Sequence, residues 1–273
     1  MTAFLCPVCG AALEEEKECL RCGSGHIFDK ARSGYVNLLP VSGKHAKLPG
    51  DNKLMVNARR DFLEKGYYAP FAEAVAAAAA KHLAGKRRPV LLDAGCGEGY
   101  YTEMVCRALA PMEPEVFAVD ISKFAADKCA KRCKGVHCAV GSVYHLPLPA
   151  ENCDGVVSLF APYCGGEYLR VLKPGGIFLM GIPDRMHLWE LKAALYEKPY
   201  ENEVKDFALE GFELLENVPV EETIHLPCNE DIRNLFSMTP YYYKSGVDTD
   251  EKLRKLEQLD TRIAFQVLAY RKV

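Results

Sequence analysis

Val90-Leu91-Leu92-Asp93-Ala94-Gly95-Cys96-Gly97-Glu98-Gly99-Tyr100-Tyr101 constrains the fold more than any other stretch of the chain. An apolar run ends in Asp93, three glycines follow at alternate positions, and residues that can open a helix come next. This reads as a buried parallel strand that leaves its sheet at the carboxyl end and turns tightly into a helix. Glycine admits positive φ and lets a ligand approach without a Cβ in the way. Helix N-terminal amides face the crevice in which open α/β sheets bind their ligands. A nucleotide-like cofactor is therefore expected against Asp93, Gly95, Gly97 and Gly99.

The pattern repeats downstream. Strand signals at Glu115–Asp120, Gly135–Val140, Cys153–Phe160 and Ile177–Ile182 alternate with helical ones at Lys123–Arg132 and Tyr168–Leu172, with a Lys173-Pro174-Gly175-Gly176 turn between the last two. Such a βαβ series predicts an α/β fold with a parallel sheet. Ahead of it, Asp51 or Asn52 can cap a helix through Leu54, Ala58, Phe62 and Leu63 that ends near Gly66, and a second helix runs from about Pro70 to Leu83. Thr223–Leu226 and Ala264–Arg271 add two strand-like runs, the last suited to an edge hairpin.

Residues 6–26 carry different chemistry. Cys6-Pro7-Val8-Cys9 and Cys19-Leu20-Arg21-Cys22 are two CxxC pairs on a short spacer, and His26 follows. That spacing suits a tetrahedral Zn²⁺, with Cys6, Cys9 and Cys22 as ligands and either Cys19 or His26 as the fourth. A module this small buries too little apolar surface to fold alone, so the metal is expected to be structural. A closed shell of four ligands leaves no open position for catalysis. Twelve cysteines without a signal peptide point to reduced thiols and metal ligands. No apolar run reaches membrane-spanning length, and the expected setting is the cytoplasm. Three segments are expected: a module at 1–40, a linker and helix at 41–68, and a cofactor-binding domain at 69–273.

Charge is unevenly spread. Residues 21–60 hold eight Lys/Arg against two acids, so the rest of a chain of net charge −3 carries −9. A basic front end on an acidic body suggests phosphate or RNA contact, with Arg59 and Arg60 on the first helix as candidates.

A dinucleotide site would place its third glycine one position later than Gly99. The DxGxGxG form at 93–99 instead resembles the S-adenosylmethionine (SAM) loop of class I methyltransferases with a Rossmann-like fold. Asp120, at the end of the next strand, is placed to accept both ribose hydroxyl protons. Ser142 and Val143, after the third strand, would lie along the adenine. The Leu172–Gly176 turn fits the same resemblance. Cys96 reads as a small filler, with nothing near it in sequence to lower its pKa.

Together these features resemble the RlmA family, which methylates N1 of a guanine in 23S ribosomal RNA. The resemblance rests on the cysteine module, Phe28-Asp29, Gly34 to Pro40, Pro49-Gly50-Asp51, Ala58-Arg59-Arg60, Phe62-Leu63, the glycine loop and Met238-Thr239-Pro240. It implies Zn²⁺ on Cys6, Cys9, Cys22 and His26, with Cys19 left over. It also implies SAM contacts at Tyr68, Gly99, Tyr100 and His187. The acceptor would be a base in an unpaired or flipped-out state, because N1 lies on the Watson–Crick edge. Its pocket is expected around Phe160 and Pro162, with Phe160 or Tyr163 available for stacking. His145, Asp184 and His187 are the titratable candidates for a base, and the sequence singles out none of them. The competing reading is a SAM methyltransferase for a small molecule, with the zinc module purely structural. The sequence admits a homodimer without assigning one.

Overall fold

The computed structural model describes residues 4–40, 49–204, 206–244 and 247–273. Lys44 and Lys47 of the basic run lie outside the described residues. Three short strands, β1 (Leu13–Glu15), β2 (Cys19–Cys22) and β3 (Ile27–Asp29), form an antiparallel sheet in that order. The chain then enters β4 (Val36–Asn37), α1 (Lys53–Leu63) and α2 (Ala69–His82). Asn52 caps α1, its side-chain oxygen accepting from the amides of Leu54 and Met55.

The central sheet is built from β5 (Val90–Ala94), α3 (Tyr100–Leu109), β6 (Glu115–Asp120), α4 (Lys123–Arg132), β7 (His137–Val140), β8 (Cys153–Leu159), α5 (Gly165–Val171) and β9 (Leu172–Pro183). After α6 (Trp189–Leu195) come β10 (Phe212–Leu226), α7 (Asn229–Ser237), α8 (Val247–Lys255) and β11 (Leu259–Lys272). The strand order is β10-β11-β9-β8-β5-β6-β7-β4. β5 pairs in parallel with β6 on one side and β8 on the other, so the winding reverses at β5. That reversal opens a crevice beyond the carboxyl ends of the strands. Every residue of β8 is buried, as expected of a strand covered on both faces.

The sequence marked the parallel strands closely and the tail poorly. β10 and β11 are 15 and 14 residues long and pair antiparallel along their length. Only their most apolar ends stood out, because β10 is an edge strand along which exposed polar residues, among them Glu213, Glu221 and Glu222, break the apolar pattern. The expected turn at Lys173–Gly176 is carried within β9, opposite a register shift between Cys153 and Gly155. α5 begins at Gly165, three residues before the expected start at Tyr168.

The cysteine module is built into the central domain. Phe4, Cys6, Leu13, Leu20 and Cys22 share one apolar cluster with Leu92, Phe117 and Val119 of the sheet. The Phe4 and Phe117 rings meet edge-on at 5.2 Å, and the Leu5 amide donates to the Pro147 carbonyl at 2.9 Å. β4, near the end of the module, pairs in parallel with β7 and becomes the outermost strand of the central sheet.

At the carboxyl end of β5, Asp93 is buried and accepts a hydrogen bond from Thr102 Oγ1 at 2.6 Å. Burial pushes its pKa from 3.8 up to about 7, against the hydroxyl of Thr102. Unfolded chains therefore lose this proton near pH 4 while the folded protein keeps it to about pH 7. The stability that this protonated carboxyl contributes is complete at low pH and lost as pH rises through that window. The unfolding free energy of wild type minus that of Asp93→Asn should fall by up to about 1.4 kcal/mol per pH unit between about pH 4 and pH 7. Denaturant titrations across that range measure it, and a difference independent of pH would refute the assignment.

Candidate functional site

Two sites stand out, a thiol–imidazole cluster and a cavity at the crevice. In the first, the ligand atoms of Cys6, Cys9, Cys22 and His26 all lie within 4.8 Å of one another. Cys9 Sγ and Cys22 Sγ are 3.7 Å apart, and His26 Nδ1 lies 3.3 Å from Cys22 Sγ and 3.6 Å from Cys6 Sγ. A tetrahedral Zn²⁺ with ordinary bond lengths would set sulfur–sulfur and sulfur–nitrogen edges of about 3.8 and 3.5 Å. The cluster fits that ion in both size and donor chemistry. Cys19 sits outside it, its thiol donating to Glu16 Oε2 at 3.2 Å.

The second site is a cavity of about 410 Å³, within the range of small-molecule sites. Its floor is the β5–α3 loop. Gly95, Gly97 and Gly99 have φ of +91°, +57° and +91°, which places all three in the left-handed region. A Cβ on Gly95 would come within 2.5 Å of Ala161 Cβ, and one on Gly99 within 3.0 Å of Cys129 Cα. Glycine is required there by space as well as by φ. Asp120 ties the loop to β6: its Oδ2 accepts from the Gly97 amide at 2.9 Å and its Oδ1 from the Ser122 amide at 2.8 Å. Gly95, Gly97, Tyr100, Asp120, Ser142 and Val143 all line the cavity. Asp93 and Gly99 lie just behind it, Gly99 serving as the N-cap of α3. Two further wall residues, Glu98 and Tyr101, hold buried oxygens (Glu98 Oε1 and the Tyr101 hydroxyl) without a partner among the described residues. The glycine cradle and the unpartnered oxygens fit a polar cofactor such as SAM.

Tyr68 and His187 form the opposite wall. The buried His187 ring accepts the Ala264 amide at Nδ1, 3.2 Å away, and meets the Tyr68 hydroxyl at Nε2, 3.4 Å away. Because a backbone amide can only donate, Nδ1 carries the lone pair and Nε2 the proton. Burial, aided by the charge of Lys192, pushes the pKa of His187 down to about 3. The imidazole is thus a neutral donor facing Tyr68 and has no free lone pair with which to act as a base. His145 and Asp184 are absent from the lining. Asp184 is engaged by the Arg185 amide and by Gln266 Nε2.

Sequence reasoning passed over the brace behind this wall. Lys192, fully buried, donates to Asn202 Oδ1 at 2.7 Å and to the Tyr200 carbonyl at 3.0 Å. Asn202 Oδ1 also accepts from the Tyr241 hydroxyl, and Asn202 Nδ2 donates to the carbonyls of Asp184 and His187. Asn202, Thr239 and Tyr241 line the cavity. A lone Asn in an aperiodic polar stretch gives no signal of this. Met238-Thr239-Pro240 was the one clue.

At the mouth, Phe160 has φ +56° and 47% exposure, and with Pro162 it lines the cavity directly after β8. A bulky residue held in the left-handed region beside a cavity is the kind of strain that marks functional sites. Its ring lies 5.1 Å from Phe71 and 5.5 Å from Phe265. Tyr163 stands outside the lining, packed on Tyr168. The basic run is partly neutralised: Arg21 pairs with Glu16, Lys30 with Glu15, Arg59 with Asp51 and Arg60 with Asp61. Arg60 remains on the surface side of α1, whereas Arg59 forms part of the cavity wall.

Residues 4–47 match the family model for the RlmA N-terminal zinc ribbon, and residues 91–176 match that of a methyltransferase domain. A Micromonospora griseorubida protein, provisionally named as a 23S rRNA (guanine-N1)-methyltransferase, is 37% identical over 203 residues, covering 68% of this chain and 67% of that protein. The 23S rRNA (guanine(748)-N1)-methyltransferase of Streptomyces fradiae is 37% identical over 192 residues, 70% of this chain and 66% of its own length. Bacillus subtilis YxjB, provisionally named for the same guanine-N1 reaction, is 27% identical over 272 residues, with 97% and 95% coverage. The chain thus spans about two thirds of the first two relatives and nearly all of the third. With a zinc ribbon fused to a SAM-dependent methyltransferase domain of Rossmann-like fold, the chain belongs to the 23S rRNA (guanine-N1)-methyltransferase family.

Proposed function

We propose that this protein transfers a methyl group from SAM to N1 of a guanine in a hairpin loop of 23S rRNA, in the cytoplasm. The observation that carries the reading is the union of an RlmA-type ribbon and a methyltransferase domain through one shared core and one shared sheet edge. Within the described residues no helix is long and apolar enough to cross a membrane.

SAM, when bound, supplies an electrophilic methyl group on its sulfonium sulfur. In this reading Asp120 receives the ribose hydroxyls, Ser142 and Val143 border the adenine, and Tyr68, Tyr100 and His187 surround the methionine end. The backbone of Gly95, Gly97 and Gly99 lets the cofactor lie close to the loop, with Asp93 bracing that loop from behind through Thr102. The acceptor base would stack on Phe160 beside Pro162, and holding it there would supply most of the catalysis, with the N1 proton passing to water as N1 gains the methyl group. Zn²⁺ on Cys6, Cys9, Cys22 and His26 would hold the ribbon in shape, and Arg60 meets the RNA backbone.

With unmodified 23S rRNA and labelled SAM, label should enter the RNA and create a single reverse-transcription stop one nucleotide before a loop guanine. Label found only in small molecules would refute the RNA reading. Phe160→Ala should lower kcat/KM for RNA by about 5- to 150-fold, as the loss of one stacked base implies; an unchanged value would remove Phe160 from the acceptor site. For the ribbon, metal analysis of purified variants should find zinc retained in Cys19→Ser and lost from His26→Ala. Full zinc in His26→Ala would transfer the fourth ligand position elsewhere.

A further inference from the structure

The charges lining the cavity are unevenly matched. Asp51, Glu98 and Asp120 are its acids, His187 is neutral, and Arg59 is the only Lys or Arg in the described wall. A SAM molecule brings two positive groups, its sulfonium and its ammonium, and one negative group, the carboxylate of its methionine. The acids are already engaged, Asp51 by Arg59, Glu98 by Arg132 and Asp120 by two amides. For the anion the wall offers one cation.

Arg59 is held ready for that role. Its side chain is 23% exposed, and among the described residues its one ion-pair partner is Asp51, which takes a single donor, Nη1. A guanidinium has five N–H donors in a planar fork, so the others remain to meet a carboxylate. Asp51 is itself fixed: its carbonyl accepts from Ser122 Oγ at 2.6 Å, and a Cβ on the preceding Gly50 would come within 2.7 Å of Ile121. The charge of Arg59 also reaches Glu98 and Asp120, favouring their ionised forms against burial.

We propose that Arg59, resting on the SAM reading above, binds the methionine carboxylate of the cofactor, with Asp51 orienting its guanidinium. The residue therefore belongs to the methyl donor's site, although it sits on the helix that comes after the ribbon and in a basic run suited to RNA.

Decarboxylated SAM, which keeps the sulfonium and the amine, separates this role from others in equilibrium binding to the full-length protein. Wild type should bind SAM about 10- to 100-fold more tightly than decarboxylated SAM, and Arg59→Ala should lose most of that margin, as the loss of a charge-assisted hydrogen bond implies. Its affinity for decarboxylated SAM should stay within about twofold of wild type, and Arg59→Lys, which keeps the charge without the fork, should fall between the two. A parallel loss for both ligands would make Arg59 structural. Unchanged SAM affinity with weakened, less salt-dependent RNA binding would make it a phosphate contact. Either result overturns the proposal while leaving the methyltransferase reading intact. Failure of the wild-type protein to bind SAM at all would overturn the cofactor reading on which the proposal rests.

Discussion

The structure depends on one junction, the hydrogen bond from the Gly97 amide to the Asp120 carboxylate across the ends of β5 and β6. Beyond Ala94 and Val119, their last paired residues, the backbone link between these strands narrows to the Gly95 and Cys96 amides, both donating to the Val119 carbonyl. The carboxylate continues the connection past that point and holds a loop of left-handed glycines in one conformation. Burial raises the pKa of this carboxyl, and the amides that engage both of its oxygens work against that rise. Replacing any of these glycines would set φ strain against a close contact or a cavity wall, which is why the loop reads so strongly in one dimension.

The ribbon obeys a different rule. Its three strands bury little on their own, and its thiols and imidazole need an ion to hold them together. Nevertheless Phe4, Leu13 and Leu20 insert into the cluster that contains Phe117 and Leu92, and β4 extends the catalytic sheet. Metal binding and the packing of the sheet edge are therefore one structural event.

The sequence made the strands from 90 to 183 legible because strands buried on both faces are continuous apolar runs punctuated by glycine and proline. The zinc ligands were legible down to one ambiguity, which spacing alone could not resolve. The family resemblance pointed to His26, and in three dimensions Cys19 turns toward Glu16 while His26 faces Cys6 and Cys22. The tail was largely illegible: β10 and β11 are joined through two helices, and pairings between distant segments leave no local trace. Asn202 and Lys192 were equally hidden, since a buried cation satisfied by carbonyls and an amide looks like any surface lysine in sequence. Arg59 and Arg60 show the sharpest limit. Adjacent residues on a helix point about 100° apart, and that rotation alone places one in the cavity wall and the other against Asp61.

This rotation gives the linker a role that its composition conceals. Gly50 and Asp51 close against Ile121 and Ser122, so the segment leaving the ribbon lands on the β6–α4 junction, at the Asp120 side of the cavity. The helix it caps then carries Arg59 over the same cavity.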